Sequence, residues 1–210
     1  MYRLKKDWFR LAAHIAALLP LALLIWDFTQ DQLTVNPIQA IQLRTGRYAL
    51  VLLVITLAST PISRLFGSRQ LLALRRPLGL YTFMYASLHF LNFLVIDYRF
   101  DFDLIREDLF EKRFALAGFA AFLCLLPLAI TSTRGWIVRL GKRWGNLHRL
   151  IYPAAVLAVI HFVWQVKADI REPLVFGVIV LLLLLVRLPV IRDQLVRIRD
   201  RLRSGGEDVR

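Results

Sequence analysis

The sequence predicts an all-α fold, an integral membrane bundle of six transmembrane helices with both termini in the cytoplasm. Of the 210 residues, 58% are hydrophobic, only 20% are charged, and the mean hydropathy is +0.55. This composition is too apolar for an ordinary soluble domain. The apolar residues also form separate runs of about 17 to 20 residues, which is the length that a helix needs to cross the hydrocarbon core.

Six apolar runs account for the predicted helices. They cover residues 8–26, 46–62, 77–96, 114–131, 147–166 and 173–188. Proline, glycine and charged clusters mark their ends, as at Pro37, Gly46, Pro61, Pro77 and Pro173. Basic residues precede the first run, as in a signal peptide, but no small-residue cleavage site follows it. We therefore expect this run to remain as the first helix.

The distribution of lysine and arginine predicts the orientation. Most of the 28 basic residues lie before the first run, between the second and third, between the fourth and fifth, and after the sixth. The connection 97–113, on the other side, is acidic. By the positive-inside rule both termini are cytoplasmic and the acidic connection faces out. We expect a membrane domain over 1–191 and a basic cytoplasmic tail over 192–210 that lies on anionic lipid.

Composition also excludes several function classes. The net charge of +13 does not indicate nucleic-acid binding, because the basic residues form short clusters between apolar runs. Cys124 is the only cysteine, which excludes a disulfide framework, an iron–sulfur ligand set and the Cys-x-x-Cys-His signature of covalent haem. No Gly-x-Gly pair is present, so the chain has no dinucleotide-binding fingerprint.

The histidines are the candidate functional residues. His14, His89 and His161 lie inside predicted spans, and His148 opens the fifth. An ionisable group in hydrocarbon is costly unless something binds it. The third and fifth spans enter from the same side, which places His89 and His161 at similar depths, roughly 18 Å and 21 Å along their helices. We predict that these two imidazoles are the axial ligands of an outer b-type haem iron with no open coordination position.

His148 lies roughly 20 Å before His161 along the helix and cannot share that haem. We expect it to serve an inner redox centre, either a second haem or a flavin; a histidine at the level of the lipid headgroups is the alternative. The matching position on the third span is Arg76, which cannot ligate iron but could neutralise propionates together with Arg75. His14 is a further inner candidate, with a helix-packing hydrogen bond as its alternative.

Small residues lie one or two turns before the two predicted ligands: Ala86 before His89, and Ala154 and Ala158 before His161. They indicate either a slot for a flat macrocycle or close packing of helices. For the protein as a whole, the alternative to electron transfer is a transporter or scaffold in which the histidines form proton relays or packing hydrogen bonds.

Several motifs resemble those of a known family. They include Asn36-Pro-Ile-Gln, Thr60-Pro-Ile-Ser-Arg, Leu78-Gly-Leu, Thr131-Ser-Thr-Arg, Leu140-Gly-Lys-Arg-Trp-Gly-Asn-Leu-His and Ile160-His-Phe-Val-Trp. Over nearly the whole chain the sequence resembles the MsrQ family, the haem-binding membrane subunits of periplasmic methionine sulfoxide reductase systems. This family belongs to the ferric-reductase-like transmembrane superfamily.

The resemblance implies a b-type cytochrome of the bacterial inner membrane, an electron-transfer subunit rather than the catalytic reductase. His89, His148 and His161 match the family's haem ligands, which implies one or two haems. The implied acceptor is a periplasmic molybdopterin methionine sulfoxide reductase subunit, with another acceptor as the alternative. The implied donor is the quinone pool or a cytosolic flavin reductase, and FMN is an implied cofactor. Too few residues follow the last run for a flavin or nicotinamide domain, so we expect a separate reductant.

Overall fold

The computed structural model describes residues 2–189, 191 and 197 of the chain. All regular secondary structure in this part is helical, as predicted. The α-helices are α1 (Tyr2–Thr29), α2 (Pro37–Phe66), α3 (Arg69–Leu91), α4 (Phe102–Glu111), α5 (Arg113–Ile130), α6 (Arg134–Leu140), α7 (Lys142–Leu147), α8 (Ile151–Gln165) and α9 (Arg171–Leu185). A π-helical segment, Asn92–Asp97, extends α3, and a 3₁₀ turn, His148–Leu150, joins α7 to α8.

Five stretches of helix are long and apolar enough to cross a membrane. They are Trp8–Thr29, Pro37–Phe66, Gln70–Asp97, Arg113–Ile130 and Lys142–Gln165. The sixth predicted span, 173–188, falls on α9, which has 15 residues. That is shorter than the roughly 17 residues that a crossing needs. The chain is therefore a multi-pass membrane protein with at least five spans among the residues described.

Three of the residues predicted to mark helix ends lie inside helices. Gly46 and Pro61 are internal to α2, and Pro77 is internal to α3. The start of α2 is Pro37, where the missing N–H costs nothing and where the Asn36 side chain accepts a 3.1 Å hydrogen bond from the Gln39 amide. The helix ends at Phe66, and the next residue is Gly67, whose φ of 67° suits glycine. Prolines are tolerated inside membrane helices when neighbouring groups satisfy the freed carbonyls.

The acidic connection is partly helical. Within it, α4 begins at Phe102 and is capped by the preceding Asp101, whose side chain accepts a 3.1 Å hydrogen bond from the Leu104 amide. Asp108 contacts both Lys112 and the Tyr98 hydroxyl, which ties the end of α4 to the π-helical segment. The predicted basic tail, 192–210, lies outside the described residues apart from Arg197, so its lipid contact stays a prediction.

Two antiparallel hairpins form the centre of the bundle. The most extensive contacts join α2 to α3 and α5 to α8, and α3 packs against α5 between the hairpins. The larger core cluster consists of Leu53, Leu57, Leu125, Leu128, Ile151, Ala154, Ala155 and Val180. A second cluster joins α1 to α3, where the fully buried Tyr85 donates a 2.8 Å hydrogen bond to the carbonyl oxygen of Ala17. The hairpins therefore fix the relative positions of α3 and α8, the helices that carry His89 and His161.

Candidate functional site

The imidazoles of His89 on α3 and His161 on α8 face each other across the centre of the bundle. Their ring centres are 5.9 Å apart, and their planes are nearly perpendicular at 85°. Phenylalanines on α3 and α5 stack beside them, with Phe90 and Phe122 4.8 Å apart and Phe83 and Phe122 5.6 Å apart. The fold thus brings together the two histidines that the sequence placed at similar depths.

Each of the two rings is anchored by its Nδ1 atom. His89 Nδ1 is 2.9 Å from the carbonyl oxygen of Gln42 on α2, and His161 Nδ1 is 2.7 Å from that of Phe114 on α5. A carbonyl oxygen only accepts, so each Nδ1 carries the proton and donates it. The proton-free Nε2 of each neutral ring then keeps its lone pair. Metal-ligating histidines usually make a hydrogen bond of this kind through the nitrogen that does not bind the metal, because it fixes both the tautomer and the orientation of the ring.

Glycines make these two hydrogen bonds possible. Gly46 lies one turn after Gln42, and a Cβ built on it would come within 2.9 Å of His89 Cε1 and Nδ1. Gly118 lies one turn after Phe114, and a Cβ there would come within 2.7 Å of His161 Nδ1. Such distances are too short for real carbon atoms. Only glycine therefore lets the rings reach the helix carbonyls.

The two hairpins build the same arrangement twice. In both hairpins the histidine follows the residue that supplies its carbonyl by 47 positions. The glycine also occupies the same place one turn after that residue. The pattern of carbonyl, glycine and histidine is an internal repeat that the sequence analysis missed. The equal spacing of Gly46 to His89 and Gly118 to His161 is the signal that could have revealed it.

Among the described contacts, a polar side chain reaches the ring of His89 but none reaches that of His161. The Gln42 amide nitrogen lies 3.3 Å from His89 Nε2, and its oxygen accepts a 2.7 Å hydrogen bond from Asn92 Nδ2. Asn92 also donates to the Ile38 carbonyl oxygen at 3.2 Å and is 3% exposed. Asn92 begins the π-helical segment, and such segments are frequent at functional sites. The Gln42 side chain therefore occupies the lone pair that a metal would take.

The donor set of this site fits a metal that brings ligands of its own. Among the described residues, no group of three or more histidine, cysteine or acidic side chains could hold a metal ion. Two imidazoles are too few for a structural zinc site, which has four ligands. They suit an iron whose remaining positions are filled by a porphyrin. Metal–imidazole bonds of roughly 2 Å on both sides, added to the ring radii, would separate the ring centres by about 6 Å.

His148 has a different environment. Thr131 Oγ1 donates to the Pro127 carbonyl oxygen at 2.6 Å, so the 3.1 Å contact with His148 Nε2 uses the ring as donor. Trp144 stacks on the ring with centres 3.9 Å apart, and its indole nitrogen donates to the Thr131 carbonyl at 3.0 Å. Among the described contacts, none joins His148 to another histidine. The structure does not bring it to the central pair.

The remaining histidine packs helices together. His14 Nδ1 lies 2.8 Å from the Tyr81 hydroxyl, and the two rings meet edge-on with centres 5.6 Å apart. This contact joins α1 to α3, which is the alternative expected for His14. Ala154 is fully buried in the larger core cluster, and Ala86 and Ala158 pack against that cluster. These alanines therefore allow the close approach of helices that was the alternative to a slot.

Comparison with known proteins identifies the family. Residues 45–159 match the family described as the ferric reductase like transmembrane component. A protein of Xanthomonas campestris pv. campestris (strain B100), named protein-methionine-sulfoxide reductase heme-binding subunit MsrQ, is 49% identical over 179 residues. The match covers 82% of this chain and 82% of that protein. The chain belongs to the MsrQ family.

Further relatives carry the same name. The protein of Xanthomonas axonopodis pv. citri (strain 306) is 49% identical over 81% of both chains. That of Herminiimonas arsenicoxydans is 48% identical over 82% of this chain and 81% of its own. No solved structure gives a significant match. The matched range, 45–159, contains Gly46, His89, Gly118 and His148 and ends just before His161.

Proposed function

We propose that this chain is the membrane electron-transfer subunit of a methionine sulfoxide reductase system. In this proposal b-type haem is held between His89 and His161, and electrons pass to a periplasmic molybdopterin-dependent reductase that repairs oxidised methionine. In the same proposal the chain lies in the bacterial inner membrane, α9 forms part of a sixth span, and both termini are cytoplasmic. The names of the relatives and the facing histidines together support this function.

The single observation that carries the proposal is the anchored histidine pair. Both Nδ1–H groups are held by main-chain carbonyls, so the Nε2 atom of each ring is the one left to bind a metal. Haem supplies an iron that accepts and releases one electron at a time. The residues around His89 and His161 would hold the two rings in place, keep them neutral and exclude water. Gln42 must withdraw its amide from His89 Nε2 for that atom to act as a ligand.

We propose that electrons enter the protein near His148. Its position beside Thr131 and Trp144, at the end of the bundle where α8 begins, suits an inner redox centre that receives electrons from the cytoplasmic side. The donor is proposed to be quinol or a cytosolic flavin reductase. A second haem or FMN at this end remains part of the proposal on the strength of the family resemblance.

Absorption spectroscopy of the protein purified in mild detergent tests this function. We expect a Soret band and the reduced α and β bands of a six-coordinate b-type haem. His89→Ala and His161→Ala should each lose the outer haem, because each substitution removes one of the two residues that would hold it. His14→Ala is the matched control, since His14 bonds to Tyr81 and lies outside the pair. It should keep the spectrum of the unmodified protein.

A colourless protein that is folded and stays colourless after reconstitution with haem would contradict the proposal and favour a non-redox scaffold or transporter. An unchanged haem-to-protein ratio in His161→Ala would contradict the ligand assignment while leaving haem binding intact. The acceptor is tested separately, by measuring electron transfer from the reduced protein to a purified periplasmic methionine sulfoxide reductase subunit.

A further inference from the structure

Arg187, just beyond the end of α9, uses only part of its guanidinium within the protein. Nη1 donates to the Tyr152 hydroxyl at 3.0 Å, and Nη2 donates to the Leu57 carbonyl oxygen at 2.6 Å. That carbonyl is free because the residue one turn later is Pro61, which has no N–H. Of the three N–H groups that remain, the one on Nε is buried and has no described partner. A buried donor without a partner carries a desolvation cost.

A second arginine lies near the Arg187 side chain. Arg75 on α3 is partly buried and lies within electrostatic range of Arg187, Tyr152 and His148. No described hydrogen bond or ion pair involves its guanidinium. Its sequence neighbour Arg76 is exposed. Two guanidinium groups that share a half-buried place repel each other unless an anion lies between them.

The protein itself supplies no described anion there. Every acidic side chain that the structure describes lies in or beside the connections α1–α2, α3–α5 and α8–α9, at the opposite end of the bundle. The four described ion pairs are all at that end, and they include Arg44 with Asp27 and Arg47 with Glu172. The counter-ion for Arg75 and Arg187 must therefore come from another molecule or from outside the described residues.

We propose that Arg75 and the Nε of Arg187 bind a phosphate group at the end of the bundle where α3 and α8 begin. A phosphate has three acceptor oxygens and can accept from two arginines at once, which suits donors that approach from α3 and from α9. The phosphate belongs either to a phospholipid headgroup or to a soluble phosphate monoester. The site is separate from the pair His89 and His161, and it lies at the end of the bundle where the proposed function has its inner redox centre.

The general attraction between basic clusters and anionic lipid is the competing explanation. In that case exposed arginines would contribute as much as partly buried ones, because the attraction depends on charge near the surface. Arg75 and Arg76 are adjacent in the chain and carry the same charge, but Arg75 is partly buried and within electrostatic range of Arg187, whereas Arg76 is exposed. Arg75→Gln and Arg76→Gln are therefore a matched pair that separates a built site from a charged surface.

The experiment uses the full-length protein, purified and delipidated in detergent, with helicity checked by circular dichroism. One arm measures retention of phosphatidylglycerol by native mass spectrometry. The other titrates FMN by fluorescence quenching, with riboflavin as the control without phosphate. We expect Arg75→Gln to weaken phosphate binding at least tenfold in one arm and Arg76→Gln to leave it unchanged. Arg187→Lys, which removes Nε but keeps the charge, should weaken the same arm.

Loss of phosphatidylglycerol alone would identify the lipid headgroup as the source of the phosphate. Loss of FMN affinity with riboflavin unaffected would identify a soluble monoester. Equal effects of Arg75→Gln and Arg76→Gln would overturn the proposal, and so would the absence of phosphate binding in both arms with the unmodified protein. The haem spectrum of each variant is recorded separately, so a failure here does not bear on the histidine pair.

Discussion

The imidazole of His161 on α8 packs directly against Gly118 on α5. The ring occupies the space that the Cβ of any other residue at position 118 would need. A Cβ at this position would come within 2.7 Å of the Nδ1 atom that donates to the Phe114 carbonyl. The ring can reach that carbonyl only because the helix has no side chain there. The glycine therefore sets the direction in which His161 points.

Gly118→Ala should lower the affinity for haem roughly 10- to 100-fold, the usual effect of losing a group that orients a metal ligand. The added methyl group must push the ring away from its carbonyl. The haem-to-protein ratio of the purified variant measures the effect. Gly135→Ala is the control, because a Cβ there meets no atom within 4 Å. A full haem complement in Gly118→Ala would show that the ring tolerates the displacement.

Near His89, Gly46→Ala and Gln42→Ala should have opposite effects on haem binding. Gly46→Ala should weaken haem binding, because its Cβ would come within 2.9 Å of the His89 ring. Gln42→Ala should preserve binding, because His89 Nδ1 bonds to the main-chain oxygen of residue 42 and the side chain only competes for Nε2. Haem titration of the two apoproteins compares them. Loss of haem in Gln42→Ala would mean that its side chain, not its carbonyl, supports the site.

His148→Ala should leave the spectrum of the outer haem intact and slow its reduction by a cytosolic donor. The substitution removes the contacts with Thr131 and Trp144 but none that reaches His89 or His161. Stopped-flow reduction with a flavin reductase, compared with reduction by dithionite, separates the two effects. Complete loss of haem from a folded variant would instead make His148 a ligand of the only haem.

Arg187→Met should lower stability by about 1 to 3 kcal/mol, because the buried Leu57 carbonyl loses its donor. The cost should shrink when Pro61→Ala is also present, since that second substitution restores an N–H one turn after Leu57. Thermal unfolding of the four proteins of this cycle, in one detergent, gives the coupling. Strict additivity would mean that the arginine does not replace the missing amide.

The sequence predicted the five long helices that can cross a membrane and the meeting of His89 with His161, because both follow from local information. Run length gives the spans, and rise per residue gives the depth. The sequence did not predict the anchoring carbonyls of Gln42 and Phe114, because these contacts depend on which helices pair and on their rotation.

Gly46 shows how a local rule gives a wrong answer. Glycine often ends a helix, which predicts a boundary at this position, but in α2 it lies in the interior to make room for a ring from α3. The predicted boundary at Pro61 is wrong for a related reason: its freed carbonyl is satisfied by Arg187, which is remote in sequence. Both errors occur because a contact from a side chain remote in sequence decides which residues α2 can contain in its interior.

The main-chain anchors also bear on how protons behave at the site. Each Nδ1 proton is donated to a main-chain carbonyl, and this contact holds each ring in a single tautomer. A carbonyl oxygen cannot take over that proton, so if haem were held between the two rings, as proposed, neither ring would release its Nδ1 proton to its anchor when the bound haem changed charge. Electron transfer at this pair would then not be coupled to proton transfer through Nδ1.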